Sequence, residues 1–408
     1  MTAKPIKIQP RQVLFGFIFL LVFCFSGLLS ITSIITGWFA YRNGITVSLL
    51  AIPIALLFGI KVNKVTIAFI VLAGVIILSG FYNQSTPQQV LVFLRNVIFS
   101  FLIYNLVQVC IRTDNIKQVI KWCVIIAVIQ LPIVLFQQAI YPQLPGAVHS
   151  RIVATDIGTG TFDINGDAAM AFFLVLMIIF LLFDSKRNYF IQGKWLVLPW
   201  LTLTIFIAQA ELLKLIVLFV WGVFFLVRFK SKKLFYILLI MVIIIGGMAA
   251  FGVFDATIAR MTRRVEGSLD TSKEATEKFL AGEYSRGAAI NYYLHRGILL
   301  LGDGPSKYYE AQTRQKLVGN NGHLLTFYSE VGLLGWMGSV LIFFLIAFSN
   351  KQKKHQISWS QLLNFGSLML ITITSFVMDN TALMLIYCIM AMTYLIPNQN
   401  VVIKTEIN

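Results

Sequence analysis

Charge is scarce in this chain, and acidic charge most of all. Of its 408 residues, 12% are charged, with 17 acidic against 33 basic side chains, while 58% are hydrophobic. The apolar residues form about a dozen long runs, and a helix of about 20 apolar residues spans the hydrocarbon core of a bilayer. This pattern excludes a soluble enzyme, a secreted domain and a nucleic-acid-binding protein.

Cysteine and metal-binding patterns are also missing. The four cysteines lie in or at the ends of apolar runs, without a Cys-x-x-Cys pattern, so we expect no disulfide framework. The outer loops contain no Asp-x-Asp pair and no metal-spaced histidine cluster. The run 163–167 begins like a calcium loop, but Leu174 stands where that loop needs its closing Glu. The sequence therefore predicts neither a metal nor another cofactor.

The apolar runs predict an all-α polytopic membrane protein of about 12 transmembrane helices. We see no internal repeat and no independent soluble domain, so residues 1–408 form a single integral membrane domain. The predicted spans are Val13–Ser33, Ile45–Ile60, Val65–Phe81, Val90–Ile111, Trp122–Ile140, Ala168–Phe183, Trp195–Ala208, Leu212–Val227, Leu234–Phe254, Leu324–Phe348, Trp359–Val377 and Thr381–Ile396.

The basic residues are concentrated in alternate connections between these spans. The basic connections contain Lys61/Lys64, Arg112/Lys117/Lys121, Lys186/Arg187/Lys194, Arg228/Lys230/Lys232/Lys233 and Lys351/Lys353/Lys354. Under the positive-inside rule these loops are cytoplasmic, which predicts that both termini are cytoplasmic too. The N-terminal apolar run resembles a signal peptide but lacks a clean small-residue cleavage site, so we interpret it as a retained first helix.

Two features depart from a simple series of crossings. A single helix over Trp195–Val227 would be about 50 Å long, too long for one crossing. Two short crossings, or a re-entrant hairpin, turning near Ala208–Glu211 solve this. The second feature is a long outer loop, Asp255–Gly322, predicted to contain a helix that starts near Thr271 and continues through Tyr284–Leu301.

The ionisable residues in and beside the spans lie in the half of the bilayer predicted to be outer, whereas the inner half has only the amides Asn105 and Gln108. Ionisable groups there are costly and mark candidate functional sites. They are Arg95, Glu211 and Lys214, the run Asp163, Asn165 and Asp167, Glu330, and the turn Asp379-Asn380. Glu211 and Lys214 are spaced to form an ion pair on one helix face. A polar cavity open only to the outside favours an enzyme over a transporter, whose site must be reached from both faces.

The segment Ser285–Val340 resembles the signature region of bacterial O-antigen polymerases and O-antigen ligases. Arg286 matches the loop arginine of that family, Gly302-Asp303-Gly304-Pro305 its glycine turn, and His323 the histidine at the start of the next span. The glycines along that span match as well, at Gly332, Gly335 and Gly338. The chain departs from the family in having Leu324, not asparagine, after the histidine.

The resemblance implies a glycosyltransferase whose donor is a glycan on undecaprenyl diphosphate. Arg286 would bind the leaving diphosphate, and His323 would bind or deprotonate the acceptor hydroxyl. Because no metal is predicted, arginines would neutralise the diphosphate. Further substrate contacts are predicted at Arg95, Lys214, Glu211, Asn165, Glu330, Arg264 and Tyr293. For Tyr293 and its neighbouring tyrosines, sugar stacking and interfacial anchoring are equally compatible with the sequence.

The function predicted from this resemblance is a polysaccharide polymerase of the O-antigen or capsule type. It would be inverting and metal-independent and would act on the outer face of the bacterial cytoplasmic (inner) membrane. Its partners would be the lipid bilayer, the lipid-linked oligosaccharide and a chain-length regulator protein. No nucleic-acid partner is expected. An O-antigen ligase delivering glycan to lipid A-core is the first alternative, and a transporter of a small anion or lipid-linked sugar is the second.

Overall fold

The chain folds into a bundle of helices. The computed structural model describes residues 10–37, 43–146, 158–163, 166–184, 193–208, 210–228, 277, 286–307, 309–310, 315–316, 322–348 and 358–395. The helices of the first half are α1 (Pro10–Leu20), α2 (Ser26–Thr36), α3 (Asn43–Phe58), α4 (Lys64–Tyr82), α5 (Pro87–Cys110), α6 (Ile116–Ile140) and α7 (Asp167–Phe183).

The second half continues with α8 (Lys194–Ile207), α9 (Glu211–Arg228), α10 (Arg286–His295), α11 (His323–Phe348), α12 (Trp359–Ile371) and α13 (Thr381–Ala391). A π-helical turn, Leu21–Phe25, joins α1 to α2, and 3-10 turns lie at Tyr141–Gln143, Val377–Asp379 and Thr393–Leu395. Two-residue antiparallel strands, β1 (Tyr309–Glu310) and β2 (Gln315–Lys316), form a small hairpin in the loop before α11.

Five stretches among the described residues are long and apolar enough to cross a membrane. They are Pro10–Thr36, Lys64–Tyr82, Pro87–Cys110, Ile116–Gln143 and His323–Phe348. Shorter apolar helices accompany them, including α7, α8 and α13. The chain is therefore an all-helical protein with the character of a membrane protein, as its composition predicts.

Helix α7 lies at the centre of the bundle. Every residue from Ala169 to Leu182 is buried, because α6, α8, α9, α12 and α13 pack around it. A helix that is hydrophobic on all faces is stable only when it is surrounded in this way. On another side of the bundle α4 packs on both α5 and α11, and α5 also packs on α3 and α13.

The predicted break within Trp195–Val227 is confirmed. Helix α8 ends at Ile207, Ala208 is extended, and α9 starts at Glu211. The two helices run antiparallel, since the Trp221 indole donates to Thr202 Oγ1 at 3.1 Å and the Trp195 ring lies 6.1 Å from that of Phe224. A turn at this position satisfies the length limit that excluded one long helix.

Several boundaries differ from the prediction. The span expected over Trp359–Val377 ends at Ile371, where the chain turns back before the 3-10 turn Val377–Asp379. The loop helix ends at His295 rather than near Leu301, and its expected start near Thr271 lies outside the described residues. The predicted span Leu234–Phe254, most of the long loop and both termini also lie outside them.

Candidate functional site

The first two turns of α11 pack against α10. Ala289 and Tyr293 of α10 form a buried cluster with Leu325 and Tyr328 of α11, and the Tyr293 and Tyr328 rings are 6.3 Å apart. Beyond Gly332, Leu333 N donates to the Leu299 carbonyl at 2.7 Å, so the segment that follows α10 is also held against α11.

These contacts bring the helix that starts at Arg286 against the helix that starts at His323, although the two positions are 37 residues apart in sequence. The Arg286 side chain lies outside the described part of the structure.

His323 lies in an aromatic cage. Its ring is fully buried, with the ring centroids of Phe327, Phe343 and Phe376 at 4.5, 5.1 and 5.2 Å. Its backbone N–H donates to the Ser375 carbonyl at 3.1 Å, which joins the start of α11 to the turn after α12. In this conformation the imidazole presents no surface to a substrate.

Helix α11 is broken at Gly332, whose φ of 80° and ψ of −169° are not helical. The break frees backbone groups, and the turn Gly302–Pro305 pairs with them. Asp303 N and Gly304 N donate to the carbonyls of Ser329 and Glu330 at 2.8 and 3.0 Å. Irregular backbone is tolerated at membrane depth only where protein or a cavity satisfies it. The family-like turn and the family-like span thus form one hydrogen-bonded unit.

Glu330 stabilises this unit. Its side chain is buried, and Oε2 accepts a hydrogen bond of 2.6 Å from Ser306 N. Ser306 adopts φ 55°, an uncommon conformation for a residue with a side chain. Glu330 was predicted to contact substrate, and in the structure it binds the backbone of the turn.

Arg95 is half-buried on α5. Its guanidinium donates to Asn96 Oδ1 at 3.4 Å. It forms no ion pair with a carboxylate of the described residues, Glu330 included. Its charge is therefore not matched by an acidic partner in the part of the chain that the structure describes.

The ion pair between Arg296 and Asp303 was not predicted from the sequence. Arg296, just after α10, binds both carboxylate oxygens of Asp303 at 2.5 and 2.6 Å, and Tyr293 donates to Asp303 Oδ2 at 2.8 Å. Partial burial lowers the pKa of Arg296, but the hydrogen bond and charge of Asp303 outweigh that effect and raise it overall. Tyr293, predicted to stack on sugar or anchor at the interface, thus contacts Asp303. In the sequence, the only local indication of this ion pair is that Arg296 precedes Asp303 by seven residues.

Glu211 and Lys214 form the ion pair that their spacing predicts. Lys214 Nζ lies 3.2 Å from Glu211 Oε1, and the side chains are only 12% and 8% exposed. The second carboxylate oxygen, Glu211 Oε2, is buried and has no hydrogen-bond partner among the residues that the structure describes. Lys214 uses one of its three N–H groups in this pair. Within the described residues, the pair therefore has an unused acceptor and unused donors at the turn between α8 and α9.

The chain before α7 is an irregular buried segment that the sequence did not reveal. Gln137 of α6 bonds both the N–H and the carbonyl of Gly160, at 2.7 and 2.6 Å. The Thr161 hydroxyl donates to the Phe23 carbonyl, which the π-helical turn makes available, and Gly27 N donates to Thr161 O at 3.1 Å. In the sequence, the indication of a polar segment packed here is the pair Gln130 and Gln137, which lie on one face of α6.

Some of the other predicted site residues lie outside the part of the chain that the structure describes. Asp163 accepts a hydrogen bond from the Ser30 hydroxyl beside the start of α7. Asn165 and Arg264 lie outside the described residues. In the part of the chain that is described, no group of three or more His, Cys, Asp or Glu side chains is arranged to hold a metal ion.

Comparison with known proteins adds no family assignment. No family model matches the chain, and no curated protein matches it.

Proposed function

We propose that this protein is a polysaccharide polymerase of the O-antigen or capsule type. It would move a growing glycan from undecaprenyl diphosphate to an incoming lipid-linked repeat unit, at the outer face of the bacterial cytoplasmic membrane. The proposal includes about twelve spans, of which five are long, apolar helices in the described residues. The observation that carries the proposal is the contact between α10, which starts at Arg286, and the first two turns of α11, which starts at His323.

In this proposal Arg286 binds the donor diphosphate. Transfer breaks the bond between the anomeric carbon and the diphosphate oxygen, and negative charge develops on the leaving group. A guanidinium matches two phosphate oxygens at once, and such a contact is strong in a site with little water. Arg95, with no carboxylate partner in the described part of the chain, supplies a second positive charge, and Arg264 a third.

The acceptor hydroxyl must lose a proton as its oxygen attacks the anomeric carbon. His323 is assigned this role because an imidazole titrates near neutral pH. Its aromatic cage requires the turn carrying Phe376 to move aside when the acceptor binds. Glu211 and Lys214 would bind sugar hydroxyls, since among the described residues the pair has an acceptor and donors without partners.

A ligase delivering the same donor to lipid A-core remains the first alternative, because the donor chemistry would be identical. A transporter is the second alternative. A basic residue within a span, such as Arg95, is compatible with both an enzyme and a transporter. A measurement of activity, and not of binding, therefore distinguishes the two classes.

The direct test uses protein purified in detergent, where no membrane gradient exists. Incubation with lipid-diphosphate-linked repeat units should lengthen them, as seen by gel or mass spectrometry, and Arg286→Ala should abolish lengthening. Elongation should persist in EDTA. If repeats are lengthened only when lipid A-core is added, the ligase is correct. If no glycan is transferred by stable, folded protein under either condition, the proposed enzyme class is wrong.

A further inference from the structure

Helices α12 and α13 are too short to cross a membrane. They contain 13 and 11 residues. At the helical rise they are about 20 and 17 Å long, against about 30 Å of hydrocarbon. The turn between them lies beside the middle of α5, because the Ser100 hydroxyl donates to the Met378 carbonyl at 3.0 Å. Ser100 stands about midway along α5, which runs from Pro87 to Cys110. The turn therefore lies near mid-depth of the bundle and not at the outer end of two full crossings.

The other ends of α12 and α13 lie on the side predicted to be cytoplasmic. Ser360, in the first turn of α12, donates to the carboxylate of Asp184 at 2.6 Å, just after the end of α7. Gln108, near the end of α5, donates to Met392 Sδ at 3.3 Å, just after α13. The basic loops that follow α5 and α7 predict that these ends are cytoplasmic. Helices α12 and α13 thus form a hairpin that enters from that side and turns back within the bundle.

The start of α11, which ends the loop predicted to be outer, meets this turn. His323 and Phe343 are 20 residues apart, about 30 Å in a straight helix. Their ring centroids are only 5.1 Å apart, so the break at Gly332 folds α11 back on itself. The His323 N–H donates to the carbonyl of Ser375, in the turn after α12, at 3.1 Å. A segment that arrives from the long loop and a hairpin from the opposite side therefore meet inside the bundle.

The turn presents a carboxylate at this depth. Asp379 is exposed, as is Ile373 on the same turn. In the described part of the chain Asp379 forms no ion pair. An ionised group at mid-depth is costly unless it faces water or a partner, and irregular backbone occurs there only inside protein or along a water-filled cavity. On the cytoplasmic side of the turn every residue from Thr381 to Met390 is buried. This arrangement favours an opening of the turn toward the outer side.

We propose that this turn is the floor of a water-filled recess open to the outer face, where Asp379 binds hydroxyl groups of a glycan. A carboxylate accepts hydrogen bonds through both oxygens, so one carboxylate can bind two neighbouring hydroxyls of a sugar ring. A metal ion needs more ligands, and no group of three His, Cys, Asp or Glu side chains in the described residues is arranged to hold one.

The position of Asp379 relates this recess to the candidate site. Its N–H donates to the Phe376 carbonyl at 3.2 Å, and the Phe376 ring stacks on the His323 imidazole with the centroids 5.2 Å apart. A sugar bound to Asp379 would thus lie next to the aromatic cage. The choice of a glycan as ligand rests on the proposed function, in which this sugar belongs to the acceptor repeat unit, whereas the recess itself does not.

Thiol labelling tests the recess. Cys24→Ser removes the native cysteine that is partly exposed, and the other three are buried. In this background, Asp379→Cys and Ile373→Cys should each react with a charged, impermeant methanethiosulfonate reagent added to intact spheroplasts. Native Cys388, buried in α13 on the same hairpin, is the matched control, and the background chain should stay unlabelled.

Protection from labelling tests the ligand. The repeat-unit oligosaccharide, released from its lipid, should slow the labelling of Ile373→Cys, which retains Asp379. Adding Asp379→Asn should raise the oligosaccharide concentration needed for half protection about tenfold, the loss expected for a hydrogen bond to a charged group.

Labelling of both positions only after permeabilisation would show a recess open to the cytoplasm, and no labelling under either condition would show a closed turn. Either result would overturn the proposal. Labelling without protection, or protection that Asp379→Asn leaves unchanged, would overturn the assignment of a glycan to Asp379. Protection in a protein that does not elongate glycans would support the sugar site and refute only the polymerase. Elongation without protection would do the reverse.

Discussion

Gly302 and Gly332 approach each other backbone to backbone, although 30 residues separate them. A Cβ built on Gly302 would lie 2.6 Å from Gly332 N, and one built on Gly332 would lie 2.4 Å from Gly302 N. Both residues also have positive φ, 66° and 80°. This contact is what allows the turn at the end of the long loop to fill the break in α11, so it positions the whole candidate site.

Gly302→Ala and Gly332→Ala should each destabilise the protein. The added methyl group would meet backbone atoms, and the positive φ alone costs about 1–3 kcal/mol for a residue with a Cβ. Thermal unfolding in detergent should show a clear loss. Gly74→Ala on α4 is the control, since nothing lies within 4 Å of its Cβ position. Wild-type stability of both variants would show that the turn does not dock in this way.

The Arg296–Asp303 pair should stabilise the same turn. Arg296→Ala would remove the cation and both guanidinium contacts from the buried Asp303 carboxylate, and losing such a partner costs about 1–3 kcal/mol. Asp303→Asn combined with Arg296→Ala should lose less than the two single changes added together. Unfolding of the single and double variants measures this coupling, and strict additivity would contradict a direct interaction.

Glu211 and Lys214 should depend on each other for stability. Lys214→Met leaves a buried carboxylate without its cation, which costs about 3–5 kcal/mol when a pair is fully buried and somewhat less here. Glu211→Gln together with Lys214→Met removes both charges and should restore most of the loss. Lys121→Met, at an exposed lysine, should leave unfolding unchanged. A stable Lys214→Met protein would show that the pair contributes little to the fold.

Cysteine labelling should place the end of the long loop outside. Ser306, next to the glycine turn, is only 4% exposed and bonded to Glu330, so the adjacent exposed Lys307 is the better position. An impermeant reagent should label Lys307→Cys in intact spheroplasts, whereas Thr113→Cys, in the basic loop before α6, should react only after permeabilisation. Labelling of the two positions in the reverse order would invert the predicted topology.

Helix positions could be predicted because length and capping are local properties. The turn between α8 and α9 follows from the limit on how long one crossing can be, and α5 begins at Pro87 behind the capping residue Thr86. The sequence also singled out Arg286, the glycine turn and His323 as parts of one site. The structure brings the helices that start at Arg286 and His323 into contact, and the joint action of the two side chains stays a prediction.

Other features could not be predicted, because they depend on contacts between distant segments. The break at Gly332 is stable only because Leu299–Gly304 pairs with the freed backbone groups. The π-helical turn before α2 similarly accompanies the insertion of Thr161, 138 residues from Phe23. The aromatic cage of His323 includes Phe376 from another helix connection, and no local pattern indicated that the ring would be buried.

The proposed function requires Arg286 and His323 to form one catalytic centre, and a double-mutant cycle on the elongation rate of purified protein measures whether they do. His323→Phe is the informative change, because a phenyl ring can fill the aromatic cage while removing the proton acceptor. Arg286→Ala and His323→Phe should each slow elongation about 100- to 1,000-fold, the typical loss for one transition-state contact. The double variant should lose far less than the product of these factors, since both residues serve one step. Near-wild-type elongation by His323→Phe would contradict the claim and leave His323 as a packing residue of α11.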